Sequence, residues 1–279
     1  MIIKRTKHSG FCAGVNNAVE KTKKLLINSN EPLYCLGQIV HNETVINDLE
    51  NNGLITINDI TEAPNNSKVI IRAHGEPPKT YEKAKEKNIE IIDLTCAKVA
   101  LIHKKIEDHK NDYYIIIIGK KIHPEIIADI GYCNDNMIVI ENIDDIKNIN
   151  NESKPIYIVS QTTFSSKKFD EIVKEIKKQY NNITIDKTIC NVTELHQQEV
   201  SDLSKESTKM IIIGGKNSSN TKELYNISKN NCNETILIST PVELDKTNYN
   251  KTDIIGIAAG ASTPISLVDE LEEIINNTL

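Results

Sequence analysis

The stretch "YYIIIIGKKIHPE", residues 113–125, runs an isoleucine block into Gly119 and then into a polar loop carrying His123 and Glu125. A short unbroken apolar run that stops at a glycine reads as a strand buried on both faces, the habit of parallel sheets. Ligands bind such sheets where strands end and helices begin, so the same reading points to the polar residues behind the glycine. Comparable runs are "PLYCLG" (32–37), "SKVIIRAHG" (67–75), "KPIYIVSQ" (154–161), "MIIIGG" (210–215) and "DIIGIAAG" (253–260). Between them lie helical patterns such as "PKTYEKAKEKN" (78–88), "FDEIVKEIKKQY" (169–180) and "SLVDELEEIINNT" (266–278). This alternation predicts an α/β fold with mostly parallel sheets.

The segments sort into three rounds. Each opens with a cysteine and a polar helical stretch: "GFCAGVNNAVEKTKK", "DLTCAKVALIHKK" and "KTICNVTELHQQEV". Each continues with a strand end, a glycine and a polar loop: "LGQIVHNE", "IGKKIHPE" and "IGGKNSSN". Each closes with a second strand and a short tip: "IIRAHGEPP", "IVSQTTFS" and "IAAGASTP". The expected units are 13–95, taken with the N-terminal strand and Cys12, then 96–189 and 190–268, with the end of a C-terminal helix over 269–279.

Three similar units with Cys12, Cys96 and Cys190 at one equivalent place would bring three thiols together on a pseudo-threefold axis. A disulfide pairs two thiols and a nucleophile needs one. Three thiolates suit zinc, copper(I) or an iron–sulfur cluster, and leave one coordination position open. The remaining cysteines, Cys35, Cys133 and Cys232, fall outside the pattern and read as small buried or incidental thiols. There is no CxxC pair, which excludes zinc ribbons and the bacterial ferredoxin pattern.

Composition narrows the function further. Aromatics are 4% with no Trp, and the net charge is -6, which argues against nucleic acid and anionic membranes as partners. No apolar run is long enough to span a bilayer, and the first residues lack a secretory core. A cytoplasmic enzyme, or one of the plastid matrix, is the expectation, and six cysteines in such a chain do not suggest a disulfide framework.

The loops offer a second polar set: His41 and Asn42, His74, His123 and Glu125, Thr162 and Thr163, Ser218, Ser219 and Asn220, and Ser262. "GGKNSSNTKEL" follows a strand and opens a helix, where free N–H groups and the helix dipole favour an anion. It lacks P-loop spacing, so phosphate or diphosphate is indicated and a nucleoside triphosphate is not. Glu125, shielded from water, could hold a proton near neutral pH and act as an acid. His8, His103, His109 and His196 lack the strand–glycine setting and are expected on solvated faces.

Taken together, "GFCAGV", "HN" (41–42), "AHG" (73–75), "DLTCAKV", "HPE" (123–125), "SQTT" (160–163), "KNSSN" (216–220) and "AGASTP" (259–264) closely resemble the 4-hydroxy-3-methylbut-2-enyl diphosphate reductases, the LytB or IspH family. The ordered set spans almost the whole chain. The resemblance implies three similar α/β units in a trefoil around one 4Fe–4S cluster, held by Cys12, Cys96 and Cys190 with one open iron. It implies a two-electron reductive dehydroxylation of an allylic diphosphate to isopentenyl and dimethylallyl diphosphates, the last step of the non-mevalonate pathway. A small-molecule substrate and an electron donor such as ferredoxin or flavodoxin follow from it. His41, His74, Ser218, Ser219, Asn220 and Ser262 would hold the diphosphate, with His123 at its edge. Glu125 would supply protons, with Thr162 or Thr163 bonding the substrate hydroxyl or Glu125. Ala97 stands where the family typically has Pro, and His196 where Arg is common. The rival readings are a three-cysteine zinc hydrolase of a phosphorylated substrate and a non-catalytic iron–sulfur sensor.

Overall fold

The computed structural model describes residues 1–151, 153–245 and 247–277. Among them twelve strands form three four-stranded sheets, every pairing parallel. The strands are β1 (Ile2–Arg5), β2 (Leu33–Leu36), β3 (Leu54–Ile57), β4 (Lys68–Ile71), β5 (Glu90–Asp93), β6 (Tyr114–Ile118), β7 (Met137–Ile140), β8 (Ile156–Ser160), β9 (Ile183–Ile185), β10 (Lys209–Ile213), β11 (Thr235–Ile238) and β12 (Ile254–Ala259). The helices are α1 (Ala13–Asn28), α2 (Glu43–Asn51), α3 (Pro78–Glu86), α4 (Ala97–His109), α5 (Pro124–Tyr132), α6 (Ser166–Ile176), α7 (Asn191–Glu206), α8 (Ser219–Asn231) and α9 (Ile265–Asn276). Thr278, at the end of the expected C-terminal helix, and Leu279 lie outside the described residues.

The isoleucine block behaves as its pattern demands. Every residue of β6 is buried. Tyr114, Ile116 and Ile118 face one core with Phe169, Ile172 and Ile176 of α6, while Ile115 and Ile117 face another with Ile102, Ile106 and Ile126 of α4 and α5. Alternate residues of one strand thus feed two cores, and polar residues are admissible only beyond the strand end. The same division recurs at β10, where Ile211 and Ile213 join Val268 and Leu271 of α9, and Met210 and Ile212 join Val200 and Leu224 of α7 and α8.

The sheet orders are β3-β2-β4-β5, β7-β6-β8-β9 and, for the third, β11-β10-β12-β1. The first two are contiguous in sequence. The third takes its last strand from the chain's start: β1 pairs with β12, Ile3 opposite Ile255 and Arg5 opposite Ile257. This corrects the expectation that the N-terminal strand belongs with the first unit. By packing, the chain forms two compact units: Met1–Val19, Val40–Asn52 and Asn191–Leu279, holding the β1/β12 sheet, and Glu20–Ile39 with Gly53–Cys190, holding the other two sheets.

Candidate active site

Each of the three cysteines immediately precedes a helix: Cys12 before α1, Cys96 before α4 and Cys190 before α7. Each backbone N–H donates to a carbonyl two residues beyond a strand end. Cys96 reaches Ala73 after β4 (3.0 Å), Cys190 reaches Thr162 after β8 (2.9 Å) and Cys12 reaches Ala261 after β12 (3.0 Å). One backbone device therefore positions all three thiols. Each cysteine is tied to the strand tip that precedes it in the repeat, and for Cys12 that tip lies at the far end of the chain. All three lie outside any disulfide and are partly exposed. By contrast Cys35 is buried and Cys133 half-buried, and burial pushes both thiols up to about 12. Cys232 is buried, with its Sγ 3.4 Å from the Thr208 carbonyl. Buried protonated thiols are poor ligands, whereas a partly exposed thiol at a helix start has the chemistry of a soft-metal ligand.

The glycines after the first strand of each repeat are equivalent too. Gly37, Gly119 and Gly214 donate to Ile57, Ile140 and Ile238, the last residues of β3, β7 and β11. The polar loops that follow run into α2, α5 and α8, whose N-caps are Asn42, His123 and Ser218. The side chains of these caps accept from the N–H of Val45 (3.3 Å), Glu125 (3.2 Å) and Thr221 (3.3 Å).

In the unit built on the β1/β12 sheet, His41, Asn42, Ser218, Ser219, Asn220 and Ser262 come together. A Cβ on Gly215 would lie 1.9 Å from the His41 carbonyl oxygen, so only glycine admits this approach. Ser262 Oγ donates to the same oxygen (3.4 Å), and Asn220 Oδ1 accepts from Ala261 N (2.9 Å). The amide nitrogens of Asn42 and Asn220 are buried and have no acceptor among the described residues. An unsatisfied buried donor costs about 1–3 kcal/mol, a cost that an anionic ligand at two helix starts would remove.

In the other unit, His74 and His123 meet edge to face with ring centroids 5.3 Å apart. Glu125 is 1% exposed. Its Oε1 accepts from Thr162 N (2.6 Å) and its Oε2 from the Thr162 hydroxyl (2.7 Å). Burial, then the neighbouring Asp129 carboxyl, push Glu125 up to about 8, against the opposing pull of the Thr162 donors and His103. A carboxyl raised in this way holds its proton to higher pH than an exposed one and is suited to give it to a substrate. Thr163 is placed differently, its hydroxyl accepting from Gln161 Nε2 (2.9 Å).

Two residues were missed by the sequence reading and two were misplaced. Gln161 Oε1 accepts from Lys120 N (3.0 Å), stitching the "GKKIHPE" loop to "SQTT". Asp129 is fully buried one helical turn beyond Glu125. His103 and His196, expected on solvated faces, are 5% and 4% exposed, because each lies on the inner stripe of its helix among buried neighbours. His109 is half-buried and stacks on Tyr157 at 3.9 Å, while His8 is exposed as expected and pairs with Glu199. A four-residue spacing to Val99, and to Val200 for His196, was the available signal for burial.

Parallel-sheet repeats with a cysteine before a helix in each, and a buried carboxyl at a helix N-terminus whose proton affinity is raised, fit an α/β oxidoreductase. The LytB protein family model matches residues 3–276. A relative from Clostridioides difficile (strain 630), named 4-hydroxy-3-methylbut-2-enyl diphosphate reductase, is 36% identical over 279 residues, covering 99% of this chain and all (100%) of the relative. The solved E-1-hydroxy-2-methyl-but-2-enyl-4-diphosphate reductase of Plasmodium falciparum superposes with TM-score 0.95 at 30% identity, over 99% of this chain and 88% of that one. A second solved structure, titled (E)-4-hydroxy-3-methyl-but-2-enyl diphosphate reductase, the terminal enzyme of the non-mevalonate pathway, is 37% identical with TM-score 0.72, over 99% of this chain and 100% of that one. The chain belongs to the LytB family and is a reductase.

Proposed function

We propose that the chain reduces 4-hydroxy-3-methylbut-2-enyl diphosphate with two electrons and two protons, releasing water and forming isopentenyl and dimethylallyl diphosphates, the terminal step of the non-mevalonate pathway. The shared name of its full-length relatives supports the substrate. The observation that carries the reading is the equivalent backbone placement of Cys12, Cys96 and Cys190. These would hold one 4Fe–4S cluster with an open iron, and the cluster would supply the electrons and a Lewis-acid position for the substrate hydroxyl. His41, Ser218, Ser219, Asn220 and Ser262, with His74 and His123, bind the diphosphate, the buried Asn220 amide supplying a ready donor. Fixing the diphosphate orients the allylic end, so remote binding energy serves the chemical step. Glu125 gives the proton, and Thr162, bonded to it through both N–H and hydroxyl, holds the carboxyl in place. The geometry favours Thr162 over Thr163 for this role.

The electrons come from a one-electron protein carrier such as ferredoxin or flavodoxin. No helix among the described residues is long and apolar enough to cross a membrane. We place the enzyme in the cytoplasm or, for an organellar form, the plastid matrix. The test is anaerobic purification followed by assay with a reduced donor and the hydroxylated diphosphate. A brown protein containing iron and sulfide that forms both isomers meets the proposal. A colourless zinc protein that hydrolyses phosphorylated substrates refutes it.

A further inference from the structure

The reduction draws its electrons from outside the chain, so a carrier must come close to one of the three cysteines. The helices that follow them differ in charge. In the eight residues after Cys12 the ionised side chain is Glu20, and in the eight after Cys190 it is Glu194. In the eight after Cys96 the charges are Lys98 and Lys104, with no acid among them. His103 and His196 are buried, and burial pulls both down, so neither adds charge at neutral pH. Lys98 and Lys104 are exposed, and Leu101 between them is 45% accessible to water. Ala97, Leu101 and Lys104 fall at i, i+4 and i+7, an outer stripe of α4, while Val99, Ile102, His103 and Ile106 form its buried face.

The two lysines are also unspent. The lysine ion pairs of α4 are those of Lys105 with Asp186 and of Lys110 with Glu107 (3.9 Å), and Lys98 and Lys104 make none among the described residues. Asp93, the acid just before Cys96, is already engaged, its Oδ1 accepting from Thr95 N (2.9 Å) and its Oδ2 from the Tyr81 hydroxyl (2.9 Å). Helix α5, packed beside α4, adds exposed Ile127 and Ile130. The whole chain carries a net charge of -6, so an acidic partner is held only where a local cationic face overrides that field. Transient redox interfaces are small, with an apolar centre and a charged rim, and a face of about two helical turns can seed one. We propose that Lys98, Leu101 and Lys104 form the docking face for a small one-electron carrier protein with an acidic surface. The proposal rests on the reductase reading and on Cys96 as a cluster ligand. Lys104 lies eight residues beyond Cys96, about 12 Å along the helix, so a carrier seated here is next to that thiol. Each visit gives one electron and releases the carrier oxidised. Two visits, with two protons, balance the loss of the substrate hydroxyl as water.

The test uses the cluster-loaded enzyme with an acidic ferredoxin as probe. Carbodiimide, which joins a carboxylate to an amine in contact with it, is applied to the enzyme with oxidised ferredoxin, and the joined peptides are identified by mass spectrometry. Bonds at Lys98 or Lys104 are expected, and they should fade as salt is raised. Bonds confined to other lysines overturn the proposal. Turnover is then driven either by reduced ferredoxin or by reduced methyl viologen, a small reductant that needs no docking face. Lys98→Glu with Lys104→Glu should lower kcat/KM for ferredoxin about tenfold or more at low salt, with viologen-driven turnover near wild type. Lys104→Glu alone, far enough from Cys96 to leave it undisturbed, should show a smaller loss of the same kind. Lys21→Glu with Lys24→Glu, exposed on α1, makes the same change in net charge and should leave ferredoxin kinetics near wild type. An equal loss with both donors, or an equal loss in the α1 pair, overturns the proposal. Failure of the underlying reading looks different: wild type would then form neither isomer with either donor.

Discussion

Glu125→Gln separates the chemistry of this carboxyl from its shape. A glutamine keeps both contacts, since its oxygen can accept from Thr162 N and its amide can donate to the Thr162 hydroxyl, the bonds that hold Glu125 at 2.6 and 2.7 Å. The fold is retained and only the transferable proton is lost, so turnover should fall about 10²–10⁴-fold. Stability should change in the opposite direction. A carboxyl raised from about 4.3 in the unfolded chain to about 8 in the fold contributes fully below the unfolded value. That contribution is lost as pH rises toward the folded value. At pH 7 the penalty has grown to at most about 4 kcal/mol, taking 1.36 kcal/mol per pH unit between about 4.3 and 7. Glutamine does not titrate and escapes it. At about 2–4 °C per kcal/mol for a domain of 150–250 residues, the variant should melt several degrees higher at pH 7 and show a much smaller gain near pH 4. Melting curves at both pH values, with turnover under a reduced donor, check both halves. Near-normal turnover refutes Glu125 as the acid, and a stability gain that is the same at pH 4 and pH 7 refutes the buried, proton-holding carboxyl.

Other perturbations follow from the same geometry. Serine at Cys12, Cys96 or Cys190 should abolish or cripple the iron–sulfur content, while serine at Cys35, Cys133 or Cys232 leaves iron near wild type. Iron and sulfide analysis decides this, and cluster loss from Cys133→Ser but not from Cys190→Ser would refute the repeat alignment. Thr162→Val removes a donor that pulls Glu125 down, so the alkaline limb of the pH profile should move to higher pH as turnover drops. Asn220→Ala should weaken isopentenyl diphosphate binding by roughly 1.5–3 kcal/mol, read by calorimetry, without changing cluster absorption. Gly215→Ala puts a Cβ against the His41 carbonyl. It should cost about 1–3 kcal/mol of stability by overpacking and lower diphosphate affinity with it.

The alternation of apolar runs with helical patterns, read from residues such as Ile115–Ile118, is strong because a strand buried on both faces admits no polar residue. That physical constraint also makes the strand end visible, and with it His123, Glu125 and the "KNSSN" loop. The polar caps were legible for a related reason: a helix start after a glycine has free N–H groups, and Asn42 and Ser218 are residues that satisfy them. Burial of polar side chains on helices was only faintly legible. His103 had its four-residue spacing to Val99, but Asp129 is hidden by what packs over α5, and its helix face carries no mark of whether its partner is water or another helix.

The sequence by itself determined the parallel α/β class, the three rounds, and the three cysteines that open them, because each is written in local patterns of a few residues. Only the tertiary structure decided how those rounds close. The last sheet is completed by the first strand, β1 against β12, so Cys12 hangs from Ala261 rather than from its own round. It likewise set the Thr162 hydroxyl, not that of Thr163, against Glu125, and placed Asp129 and His103 beside that carboxyl. Strand pairing across the length of the chain and the meeting of side chains from different helices depend on which surfaces must be buried together. That is a property of the folded whole, and no local window of sequence contains it.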